Sequence, residues 1–537
     1  MKPAFARKLR RIAILFGGIA FLILATGGGR LGKIDFISLN AWVAVALLAA
    51  LCLARAGEPI LASPLARFRD LIADHPLGFA GLIFALLGIA HLVKFLTLYV
   101  GVFDAGYVYQ GIFQAFRGPP LKCDVCYGGS YLGAHAAFTF ALLSPIAAVF
   151  RTPLAIPILQ AVLGLACFAI VYRAFRAELD RPAIAFVFFM LLAMRGIRES
   201  FLFDFREDLL GAMFYALAFL GVRRGKTILA LIPFALAGFS KESAAMLLPF
   251  AMVSSLFVGG KPNRRVLILY TVFGSAIAAF VLFGVLPHFT PASGGGSDLV
   301  KRLAYLGSSP AEIGANLFRH PFTSALAILG HLVTWERLRY LLIILGPLSL
   351  FAVRAPNAYY LPGVLLLFGN LLSEAATQRM MQFHYEILLI PFFGFGLAES
   401  VRRIRSSGAA SPNFYSIALL VALSVSGTWP LSHLRTYLHD SDRIDDALWL
   451  AAQSSRLDRS ETVLGDTRSY PLLTARPEIR LAETYPVPAG ALSGMGNLPA
   501  SDARSALLQK ENGDRLGPEW ERRECSPDRI FCLYRRR

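Results

Sequence analysis

Apolar runs dominate the first 430 residues. They fall near 12–29, 37–54, 78–100, 134–150, 154–173, 183–199, 208–222, 227–240, 244–259, 265–287, 338–353, 357–373, 386–400 and 412–429. A bilayer-crossing helix needs about 20 residues, with a range of ~17–25. Several runs are shorter, so their ends must borrow polar neighbours. After residue 430 the pattern changes. The tail is polar, carries Pro, Gly and Asp, and keeps only short apolar pieces such as Thr462-Val463-Leu464 and Ile530-Phe531-Cys532-Leu533-Tyr534. The pattern predicts an all-α polytopic membrane protein with a small C-terminal α/β domain. Its divisions are an N-terminal helix pair (1–77), a membrane core with its loops (78–429) and the tail domain (430–537).

Composition narrows the class. Of 537 residues, 56% are hydrophobic and 16% charged. Soluble domains carry about 25% charged residues, so too few charges are present to cover several soluble domains. The hydrophobicity excludes disorder. The net charge of +18 does not point to nucleic acid, because the basic residues sit in short clusters between apolar runs: Arg7-Lys8, Arg10-Arg11, Arg223-Arg224-Lys226, Lys261-Arg264-Arg265 and Arg402-Arg403-Arg405. Cytoplasmic loops have that character.

Orientation follows from those clusters. The first 30 residues resemble a signal peptide but lack a clear cleavage site, which predicts an uncleaved anchor. If every run crossed from a cytoplasmic N-terminus, three basic clusters would lie outside. If 134–150 is instead re-entrant or interfacial, all three return to the cytoplasm. This predicts about 13 spans in a bacterial inner membrane, with the N-terminus cytoplasmic and the tail extracytoplasmic. The loops 101–133 and 288–337, and the turns 200–207, 240–243 and 374–385, then share the outer face with the tail.

Those outer segments hold the candidate chemistry. Asp104 follows a span and fits a general base, or the cap of a helix starting at Ala105. The turn Arg195–Asp208 carries Arg198, Asp204, Arg206 and Glu207, which suit phosphate or cation binding, or a self-neutralising set of ion pairs. Lys241-Glu242 suits a phosphate contact or a snorkelling anchor. Arg379, His384 and Tyr385 open a later span. Cys123, Cys126 and His135 fall short of four zinc ligands, so no metal site is assigned. Cys525 and Cys532 flank a turn, paired or free.

Taken in order, the motifs resemble the bacterial polytopic family catalogued as domain of unknown function 2079. The matching pieces are Phe103-Asp104-x-Gly106 with Gln110, His135 with Ser144-Pro145, Gln160, Phe203-Asp204-Phe205 with Glu207, Lys241-Glu242, His384-Tyr385 with Pro391, and Tyr470-Pro471-Leu472-Leu473-Thr474-x-Arg476. Two positions depart from the family pattern. Arg206 stands where a His is usual, and Ser243 where an Asp is usual. The departures weaken a metal reading and favour an anion. The family is in turn similar to the GT-C superfamily of lipid-linked-sugar glycosyltransferases. That resemblance implies a GT-C-like core and a polyprenyl-phosphate sugar donor. It implies Asp104 as base, with Arg198, Arg206 and Lys241 near the phosphate and Asp204 and Glu207 orienting them. Gln110, His135, Glu242, Arg379, His384 and Tyr385 would complete a substrate site. A divalent cation is compatible with this reading and not required by it. The expected partners are the polyprenyl-phosphate lipid and the bilayer. A transporter or flippase, or a non-enzymatic assembly or sensor protein, are the alternatives. The polar motifs sit at span ends rather than in mid-membrane breaks, which disfavours transport.

Overall fold

A computed structural model describes residues 74–101, 105–126, 129–258, 262–289, 302–380, 383, 385–407, 430–441, 443–458, 460–476, 479–482 and 503–537. Nearly all of the expected N-terminal helix pair, and the run 412–429, lie outside the described residues. Among the described residues, three helices are long and apolar enough to cross a bilayer: Pro76–Leu96, Ala155–Phe175 and Arg264–Phe289. Six shorter apolar helices accompany them, Phe138–Phe150, Arg181–Ala193, Thr227–Gly238, Glu242–Phe257, Pro321–Leu332 and Tyr360–Leu372.

The 134–150 run is a 3-10 turn, Phe138–Leu143, continuing into the helix Ser144–Phe150. Arg151 ends it in the left-handed region at φ 51°. Thirteen helical residues reach roughly 20 Å, short of the ~30 Å hydrocarbon core.

The helices share two chemically distinct ends. At one end, Arg223 at the foot of Asp208–Arg223 contacts Glu178 (2.5 Å) and Glu399 (3.4 Å). Arg402 and Arg403 also reach Glu399, and Arg405 pairs with Asp180. Asp180 caps the helix Arg181–Ala193 by accepting from Ala183 N at 3.0 Å. At the opposite helix ends lie Lys94, Asp204, Glu207, Lys241 and Glu386. Apolar packing joins the two. Phe84 meets Phe168 and Phe201 edge-on, with ring centroids 5.1 and 4.8 Å apart. Gly164 leaves room for the Phe84 and Phe201 rings, where any Cβ would collide.

The described part of the segment 288–337 is helical rather than the expected loop. It holds two helices, Pro310–Arg319, capped by Ser309, and Pro321–Leu332, opened by Pro321. Phe318 (89% exposed) and Phe322 (75%) project from them. Apolar residues at helical spacing override the loop reading drawn from Gly, Ser and Pro content.

The tail begins with the helices Pro430–His439 and Arg443–Arg456. It then forms a five-stranded sheet, β1 (Val463–Gly465), β2 (Ile479–Leu481), β3 (Ser505–Gln509), β4 (Trp520–Cys525) and β5 (Phe531–Arg536), in the order β2-β1-β3-β5-β4. β1 pairs parallel with β2 and β3, while β5 pairs antiparallel with β3 and β4. Disulfides join Cys525 to Cys532 across the β4–β5 turn and Cys123 to Cys126 in the 101–133 loop. Cys167 is free and buried.

Candidate functional site

The turn between Arg195–Ser200 and Asp208–Arg223 is the centre of the polar end. Gln160 holds it open by donating from Nε2 to the carbonyls of Phe201 (3.0 Å) and Phe203 (3.1 Å). Gly196 allows Glu386 to lie against the start of the turn, since a Cβ there would stand 2.8 Å from Glu386 Cγ. The turn presents alternate side chains to two separate partners.

Asp204 faces Pro76–Leu96. Its carboxylate accepts from Lys94 Nζ at 2.7 Å and lies 3.6 Å from His91 Nε2. Burial pushes Asp204 up, but Lys94 and His91 outweigh it and hold the carboxyl at about 2. Lys94 Nζ also lies 5.3 Å from the centre of the Phe203 ring.

Glu207 faces the other way. Lys241 Nζ lies 2.9 Å from Glu207 Oε1 and 2.6 Å from Asp208 Oδ2. Tyr131 Oη donates to Glu207 Oε2 at 2.8 Å. Burial pushes the Glu207 carboxyl up, yet Lys241 and His135 hold it well below the carboxylate range. Burial likewise disfavours the Lys241 ammonium, and Asp208 and Glu207 more than restore it, raising it above the usual lysine value.

His135 connects this buried core to the surface. Nδ1 is 2.9 Å from Glu242 Oε1, and Nε2 is 4.0 Å from Glu207 Oε1. An ionised Glu242 only accepts, so Nδ1 carries a proton in that pair. The side chains of His135 and Glu242 are 18% and 20% exposed, whereas Glu207 is fully buried. The imidazole therefore stands between an accessible carboxylate and an enclosed one. Tyr385 covers Lys241, its ring centroid 5.9 Å from Nζ. Arg206 stacks over Tyr107 at 5.1 Å and Phe203 at 5.6 Å, and its Nη1 donates to Tyr107 Oη at 2.5 Å.

The structure thus gathers Glu207, Lys241, Glu242, His135 and Tyr385, with Arg206 and Asp204 on the same turn. Three other expected site residues are engaged elsewhere. Arg198 is fully buried, and its Nη1 donates to Leu192 O at 3.2 Å. Arg379 donates to Ser373 O and contacts Glu336 at 3.3 Å. Gln110 exchanges hydrogen bonds with Asp124 (2.6 and 2.8 Å) and accepts from Tyr470 Oη at 2.8 Å, which ties the 101–133 loop to the tail. Asp104 and His384 lie outside the described residues. His91, Lys94 and Tyr131 were not anticipated. Lys94 and His91, three apart at the end of an apolar run, carried a readable signal as charge at membrane depth. Among the described residues no group of three His, Cys, Asp or Glu side chains is arranged to hold a metal.

A family profile described as "Predicted membrane protein (DUF2079)" matches residues 94–486. The chain belongs to this family. It is an integral membrane protein, and the match takes in the polar end from Lys94 onward together with the Tyr470–Arg476 piece of the tail. Solved structures similar to it include two of ArnT from Cupriavidus metallidurans. The one bound to undecaprenyl phosphate is 13% identical with a TM-score of 0.46, over 84% of this chain and 98% of that one. The apo structure is 14% identical with a TM-score of 0.46, over 85% of this chain and 98% of that one. No curated protein matches the chain.

Proposed function

We propose that this protein is a GT-C-like membrane glycosyltransferase that takes a sugar from a polyprenyl-phosphate donor and passes it to an extracytoplasmic acceptor. The observation that carries the reading is the His135–Glu242 edge over the buried Glu207–Lys241 pair, set at helix ends opposite the basic clusters. The positive-inside rule puts the basic end in the cytoplasm and the polar end outside.

The chemistry needs a base for the acceptor hydroxyl and cations for the departing phosphate. Asp104 is the proposed base. Arg206 is the proposed phosphate contact from the central turn. Lys241 is already neutralised by two carboxylates, so it positions Glu207 and Asp208. His135 and Glu242 form a proton-carrying edge suited to the acceptor. Where the donor and acceptor enter, and which sugar is moved, follow from substrate screening.

The test is turnover by purified protein of polyprenyl-phosphate sugars, read as release of polyprenyl phosphate. Release by wild type and its loss in Asp104→Asn supports the reading. No release from any donor, together with substrate-driven flux in proteoliposomes, would replace it with transport.

A further inference from the structure

A second site lies away from the Glu207 cluster. A cavity of about 870 Å³ opens between the end of the helix Tyr107–Phe113 in the 101–133 loop, the helix Ser144–Phe150 and the first part of the tail. Its walls include Arg117, Arg151 and Arg476, with Ser454 and Ser455 from the tail helix Arg443–Arg456. None of the described residues lining it is Asp or Glu.

The arginines differ in availability. Arg476 is spent on the tail's own backbone, donating to the carbonyls of Ser454 (2.7 Å) and Glu461 (3.2 Å) among others. Arg151 is exposed, and among the described residues its guanidinium makes an Nε contact to Ala148 O at 3.2 Å. The exposed Arg117 guanidinium has no partner among the described residues. Beside these two cations, Phe116 (78%), Val149 (76%) and Phe150 (61%) stand out from the surface. Two exposed guanidinium groups in one cavity with serine side chains, bordered by large exposed apolar side chains, match one kind of ligand. It has an anionic head and acyl tails.

We propose that this cavity binds the phosphate headgroup of an anionic glycerophospholipid of the surrounding bilayer. Arg117 and Arg151 would hold the phosphate, the serines the headgroup hydroxyls, and Phe116, Val149 and Phe150 the chains. The lipid joins the membrane part to the tail helix. This proposal is independent of the transferase reading, because none of its residues belongs to the Glu207 cluster.

The experiment uses the full chain in detergent, with phosphatidylglycerol or phosphatidylcholine of the same chains as probe and bound lipid counted by native mass spectrometry. Phosphatidylglycerol is expected to bind preferentially. The double variant Arg117→Ala/Arg151→Ala weakens binding by roughly 30-fold, from about 1 kcal/mol per basic residue near an anionic surface. Arg117→Lys/Arg151→Lys retains most of it. A photoactivatable phosphatidylglycerol should label wild type at Phe116 or Phe150, which keeps the test independent of variant folding. Equal binding of the two lipids, or labelling only elsewhere, overturns the proposal. So does binding of polyprenyl phosphate with phosphatidylglycerol excluded. Lys241→Met leaves this binding unchanged whatever it does to turnover.

Discussion

Lys94 and Asp204 form a 2.7 Å ion pair across 110 residues of sequence, with side chains 11% and 3% exposed. Removing one partner strands the other charge in an apolar surround. Lys94→Met is expected to destabilise the protein by about 3–5 kcal/mol. The double variant Lys94→Met/Asp204→Leu should recover much of that loss. Denaturant unfolding in detergent measures both, and a single variant as stable as wild type would remove the pair from the account.

The same pair sets an acid limit. Asp204 is held at about 2 when folded, against an unfolded value of about 4. Its contribution is therefore complete above about pH 4 and is lost as pH falls through 2. Asp204→Asn lacks this component. Its unfolding midpoint should fall less steeply than wild type between pH 4 and 2, and parallel slopes would contradict the assignment.

Asp104→Asn separates chemistry from folding. Loss of a general base costs about 10²–10⁴ in rate. The variant should unfold like wild type while turnover of a lipid-linked sugar drops by that range. Tyr131→Phe makes the converse case, removing one hydrogen bond to buried Glu207. It should cost about 1–3 kcal/mol of stability.

The tail hairpin tests sidedness. Cys525→Ser/Cys532→Ser opens a loop of seven and should cost about 2 kcal/mol. In intact cells the wild-type pairs should resist alkylation until reductant is added, and a Cys placed at Lys226 should resist an impermeant reagent. Labelling of that Cys from outside would invert the orientation.

Much of this was legible from residue type. Charges crowded into Arg195–Asp208 and Lys241-Glu242 announced a polar cluster, because a short turn does not need them for solubility. Which charges meet was not legible. Glu207 and Lys241 stand at the starts of two helices with a third between them, His135 reaches Glu242 across 107 residues, and only packing of helices decides such pairs. Arg198 and Gln110 looked like ligands because they are polar near a span end. The first turned to a backbone carbonyl and the second to Asp124, as buried donors must find acceptors wherever they lie. The pair of helices between 310 and 332 escaped notice because Pro and Ser at their starts read as loop punctuation rather than caps.

The link between Gln110 and Tyr470 also has a consequence in time. The two are 360 residues apart, and Asp124 waits equally for the backbone N–H of Ile479. Chains are made at about 5–20 residues per second, so the loop is complete roughly 20 to 70 s before its partners exist. Throughout that interval Gln110 lacks Tyr470, and Asp124 lacks Ile479 and Arg480. The tail is then the last piece of the loop's own fold, and a ribosome that stalls before residue 470 leaves the 101–133 loop without Tyr470 and Ile479.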